Sequence, residues 1–94
     1  MLDRNNIVSY WKLDVDFIVY ANEEEGFYVI YGEYDHKNSG NPRPAIGICW
    51  QDSPKSHNVL SPLVLDNVTA NALLKGLVSQ NIDKIMTIST KLFK

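Results

Sequence analysis

FYVIYGEY, residues Phe27–Tyr34, decides how this chain folds. Six of these eight residues are aromatic or β-branched, types that fit the pleated, half-buried surface of a strand. Just before it stands Asn22-Glu-Glu-Glu-Gly26, a polar stretch ending in the residue that most readily takes positive φ. Before that, VDFIVYA at 15–21 is strand-like again. Two such runs around a polar turn predict an antiparallel hairpin. Three successive glutamates with no His, Asp or Cys beside them read as a solvated turn rather than a metal site.

Working outward, residues 35–44 are all turn chemistry, DHKNSGNPRP. Each proline biases the residue before it toward extended backbone, so no helix is expected to run through. AIGICW at 45–50 predicts a third strand and VLSPLVL at 59–65 a fourth, with Pro62 marking an edge, a bulge or a late start. A polar loop around Pro54 joins them.

The helix signal follows. Asp66 or Asn67 can cap the first turn. Ala70, Leu73, Leu74, Leu77 and Val78 then recur at helical spacing and form one apolar stripe. The expected helix covers about 67–80, with Asn81 ending it in a left-handed conformation. Ile82, Ile85, Met86, Ser89, Leu92 and Phe93 make a second helical stripe, against a strand-favouring MTIST. Residues 82–94 are expected to be helical. Residues 5–13 fit either a strand or a short helix.

These elements define an α+β fold: an antiparallel four- to five-stranded sheet with one main amphipathic helix, about 67–80, packed on one face. Ninety-four residues make a single domain, 1–94, because a second core would not fit. Alternation assigns Phe27, Val29 and Tyr31 to one face, and Tyr28, Ile30 and Tyr34 to the other. Phe17 and Val19 divide from Ile18 and Tyr20, and Ile46, Ile48 and Trp50 from Ala45, Gly47 and Cys49. One helix covers one face. The second face, with Tyr28, Tyr34 and Tyr20, then needs cover from the terminal segments or serves as a binding surface.

The composition bounds function. A net charge of −2 argues against a general polyanion binder. No apolar run approaches the roughly 20 residues that span a bilayer. The N-terminus carries an early Asp and no uninterrupted apolar region, so no signal peptide is expected there. The single cysteine, Cys49, sits in an apolar run and reads as a small buried hydrophobe in a reducing, cytoplasmic setting, bacterial or phage.

No metal-ligand spacing links His36 and His57, the glycines form no phosphate-cradling loop, and Cys49 with His57 and Asp52 lacks a nucleophile elbow. No catalytic residue, metal or cofactor is predicted. Candidate binding residues are Tyr28, Tyr34 and Trp50 with the cations Lys37, Arg43 and Lys55. The expected function is a small non-enzymatic protein acting through protein–protein contact, as an inhibitor, immunity-type or regulatory factor. A homodimer burying Tyr28 or Tyr34 is slightly favoured over another protein partner. The alternative is a nucleic-acid-binding module using the sheet aromatics and the two basic loops.

Overall fold

The computed structural model describes residues 2–7, 10–51 and 62–92. Among these residues five strands form one antiparallel sheet: β1 (Trp11–Lys12), β2 (Ile18–Asn22), β3 (Phe27–Tyr34), β4 (Arg43–Trp50) and β5 (Leu63–Val64). The α-helices of the described residues are α1 (Asn67–Leu77) and α2 (Ile82–Leu92). The α+β architecture expected from the sequence is therefore the observed one.

The β3–β4 ladder is the backbone of the sheet, running from Phe27 opposite Trp50 to Tyr34 opposite Arg43. On the other side of β3, β1 and β2 lie end to end. β2 pairs with its first half and β1 with Glu33 and Tyr34. The β2–β3 turn is built as its residues predict. The Asn22 carbonyl accepts from Gly26 N at 2.8 Å, and the Asn22 side chain accepts from Glu25 N at 3.2 Å. Gly26 takes φ +72°, and a Cβ there would run into the Gln51 carbonyl.

β4 begins at Arg43, earlier than expected, and so includes Pro44. β5 reaches only Gly47 and Ile48, so Pro44 lies where β4 is itself an edge and its missing N–H breaks no ladder. The fourth strand shows Leu63–Val64 after Pro62, and residues 59–61 of the expectation lie outside the described residues.

The predicted helix is present. α1 continues through a 3-10 turn, Val78–Gln80, to end where expected. Asp66 is its N-cap residue, its carbonyl accepting from Ala70 N at 2.9 Å. Asn81 departs from expectation with φ −164°, which is extended rather than left-handed. The physical reason is that Asn81 also starts α2: its carbonyl accepts from Ile85 N at 3.0 Å.

Both helices cover the same face. Ala70 and Leu74 of α1 and Ile85 and Ile88 of α2 pack with Val19, Val29 and Ile46 of the sheet. Lys84 ties α2 to the start of β2, its ammonium donating to the Asp16 carbonyl and, at 2.6 Å, to that of Ile18. β2 itself corrects the alternation read from sequence. The register slips between Ile18 and Tyr20, opposite Ile30 and Val29 respectively, so Val19 is the extra residue of a β-bulge. Phe17 and Ile18 consequently face one side, while Val19 and Tyr20 face the helices. Tyr20 is thus not a second-face residue.

The second face is covered by the N-terminal segment. Leu2 and Ile7 are buried against Phe17, Tyr28, Ile30 and Cys49, and Trp11 and Leu13 pack on the same cluster. Residues 5–13 hold parts of both expected forms, a 3-10 turn at Arg4–Asn6 and the short strand β1. Glycines make room for this arm. A Cβ on Gly47 would lie 2.7 Å from Trp11 Cζ2, 3.0 Å from Cη2 and 3.2 Å from Pro62 Cβ. A Cβ on Gly32 would lie 2.8 Å from the Lys12 carbonyl oxygen. Gly47→Ala is expected to cost about 1–3 kcal/mol by overpacking. A thermal melt matching the wild type would show that the indole does not need this trough.

Candidate functional site

At the hairpin end of the sheet, residues directly opposite one another share a face. Trp11, Tyr34 and Arg43 therefore form a row across β1, β3 and β4 on the second face. The Trp11 and Tyr34 ring centroids are 5.3 Å apart. Tyr10 stands edge-on to Tyr34 at 6.5 Å and to His36 at 6.1 Å. His36 completes the cluster, its Nδ1 2.8 Å from the Tyr34 hydroxyl.

The backbone holds this group under strain. Tyr10 has φ +76°, a region that bulky residues rarely enter. Its carbonyl accepts from Asp35 N at 3.0 Å, which pins it to the hairpin. Strain of this kind costs on the order of 1–3 kcal/mol and persists only where the surroundings impose it.

Asp35 organises the β3–β4 loop. Its carboxylate accepts from Ser39 N and Ser39 Oγ, both at 2.9 Å, and from Gly40 N at 3.1 Å and Asn41 N at 3.4 Å. Its limited desolvation opposes ionisation, but these bonds together outweigh it and hold the carboxyl below its ordinary pKa. Against the expectation of no helix here, His36–Asn38 form a single 3-10 turn, which positive φ at Lys37 and Asn38 keeps from continuing.

The residues predicted from sequence do not all meet. Tyr34, Lys37 and Arg43 come together at this end. Trp50 lies at the opposite end of the ladder, facing Phe27 at 4.6 Å between centroids, on the helix side of the sheet. It cannot share a rim with Tyr34, because the two loops flanking β4 leave from opposite ends of it. Lys55 lies outside the described residues, as does His57.

Tyr28 is the clear correction. It is 2% exposed, enclosed by the N-terminal arm, and is no surface residue. The argument for a dimer built on an uncovered second face falls with it. Tyr10, Trp11 and His36 join the site without any sequence motif that marks them for binding. Tyr10 and Trp11 are signalled only as an adjacent aromatic pair, whose local pattern fits strand and helix equally, and His36 only as a turn residue.

A cleft of about 1070 Å³ opens between α2 and the sheet, with Lys12, Glu33, Tyr31, Lys84 and Lys91 among its walls. Lys91 Nζ sits 5.9 Å from the Tyr31 ring centroid. Cations and acids alternate there, and Lys84 is already committed to two carbonyls. Among the described residues, no group of three His, Cys, Asp or Glu side chains could hold a metal ion.

Cys49 faces Tyr28 across the ladder. Burial pushes its thiol up to about 11. It should therefore resist a thiol reagent such as DTNB at neutral pH until the protein is denatured. Rapid labelling of the folded chain would contradict this burial. The unfolded thiol ionises first, so this group lowers stability as pH climbs from about 9 toward 11.

The chain matches no protein-family model, no curated protein and no solved structure. Among the described residues no helix is long and apolar enough to cross a membrane.

Proposed function

We propose that this chain is a small non-enzymatic protein that acts through protein–protein contact, with Tyr10, Tyr34, His36 and Arg43 forming the contact surface. The observation that carries this reading is the strained, partly exposed aromatic cluster set beside an exposed arginine. Tyr, Trp and Arg dominate the binding energy of protein interfaces, because rigid rings bury large areas at low entropic cost. An inhibitor, immunity-type or regulatory factor of a bacterial or phage cytoplasm is the role such a module fits, and a buried thiol suits a reducing compartment. Self-association through Tyr34 is one form of the same contact.

A second reading has its own support. Clustered rings near the exposed Lys37 and Arg43 also suit single-stranded nucleic acid, whose bases stack on aromatic faces. The test compares the wild type with Tyr34→Ser/Arg43→Ala as bait in extract of the native host. The double variant should keep its circular dichroism melt and capture its partner at least about tenfold less well, as expected when an interface loses two central anchors. Undiminished capture would remove the site from the contact. Oligonucleotide binding that weakens steeply with salt would favour the second reading.

A further inference from the structure

We propose that the surface received by this site is an acidic segment of another protein, an inference that rests on the contact reading above. The chain as a whole is acidic, with a net charge of −2, yet its charges are sorted by face at this end of the sheet. Lys12 and Glu33 oppose each other on the helix side and offset one another there. Arg43 opposes Tyr34 on the site side, and Lys37 lies in the adjoining loop.

The one acid in that loop at this end, Asp35, is occupied. Four donors from Ser39, Gly40 and Asn41 already reach its oxygens, leaving it poorly placed to receive a partner's cation. The Tyr34 hydroxyl is likewise engaged with His36. Arg43 is exposed beside the rings and Lys37 is exposed in the adjoining loop, while the ionised Asp35 carboxylate is turned onto the loop's own amides and hydroxyl. The complement of this site carries carboxylates beside apolar groups, and charge complementarity of this sort sets partner choice and encounter rate. Two exposed cations at this end, Arg43 and Lys37, are too few to track a phosphate backbone, which needs a stripe of Lys and Arg. A carboxylate-bearing protein segment is therefore the better occupant.

The experiment is a titration of the 15N-labelled full chain with four probes. These are a short Glu/Tyr peptide, its Lys/Tyr and Gln/Tyr counterparts, and an oligo-dT strand. The Glu/Tyr peptide should shift the amides of Tyr10, Tyr34, His36 and Arg43, with affinity falling as salt rises. Arg43→Glu should weaken it about tenfold or more while leaving the rest of the spectrum in place. Equal shifts with the Gln or Lys peptide would overturn the acidic specificity and leave the contact reading intact. Tighter binding of oligo-dT would overturn it in favour of nucleic acid. Shifts on concentrating the protein alone would assign the site to a second copy instead. Should no probe move these residues while host-partner capture still depends on Tyr34, the acidic partner alone is refuted.

Discussion

Leu74→Ala should lower the unfolding free energy by about 2–5 kcal/mol, from lost burial plus the cavity left behind. Leu74 is fully buried at the centre of the cluster that joins α1 and α2 to Val19, Val29 and Ile46. Its neighbours come from two helices and three strands. No single one of them can move into the space without breaking its own packing, so the cavity should stay largely open. A domain of this size has on the order of 5–15 kcal/mol of stability in all, so the change removes a large part of it. Leu77 is only partly buried, and Leu77→Ala should cost less. Lys75 is exposed, and Lys75→Ala should stay within about 0.5 kcal/mol of the wild type. Urea melts of the three variants check the order. Equal midpoints for all three would show that α1 does not hold the core together.

What the sequence made legible was local. The β2–β3 hairpin follows from aromatic and β-branched runs around a turn that needs Gly26, and those signals lie within a few residues of one another. α1 follows from a stripe at helical spacing, and α2 from a weaker stripe that prevailed over the strand propensity of MTIST because Ile85 and Ile88 have a sheet face to cover. Two things were hidden for a physical reason. A bulge at Val19 shifts every later side chain of β2 to the other face, and alternation read along one strand cannot reveal where its partner's register slips. The N-terminal arm is held by the two residue pairs of the β1–β3 ladder and by the space over Gly32 and Gly47, which are contacts between distant parts of the chain. The same limit governs the candidate site. Tyr34 and Arg43 meet because they face each other across one hairpin, so their proximity follows once the hairpin is drawn. Tyr10 and Trp11 join them only through the arm, and no spacing in the sequence encodes that.

Tyr28→Ser should be among the most damaging substitutions in this protein, costing about 3–5 kcal/mol. The sequence groups Tyr28 with Tyr34 as residues of one exposed face, whereas the fold divides them. Tyr28 is 2% exposed, packed with Leu2, Ile7, Phe17, Ile30 and Cys49. Desolvation, followed by the nearby Glu23 carboxylate, raises the pKa of its phenol. Its hydroxyl donates to Glu23 Oε2 at a long 3.4 Å. Serine would remove the ring that the N-terminal arm lies against and leave a hydroxyl among aliphatic side chains. Two comparisons separate the causes. Tyr28→Phe keeps the ring and loses one long hydrogen bond, so it should cost no more than about 1 kcal/mol. Tyr34→Ser removes a ring from the partly exposed cluster, and its effect should fall on partner capture rather than on the melt. If the arm is the cover of this face, Tyr28→Ser should also speed amide exchange at Trp11 and Lys12 before the helices open. A Tyr28→Ser protein that melts and exchanges like the wild type would mean that the second face is covered by something other than residues 2–13.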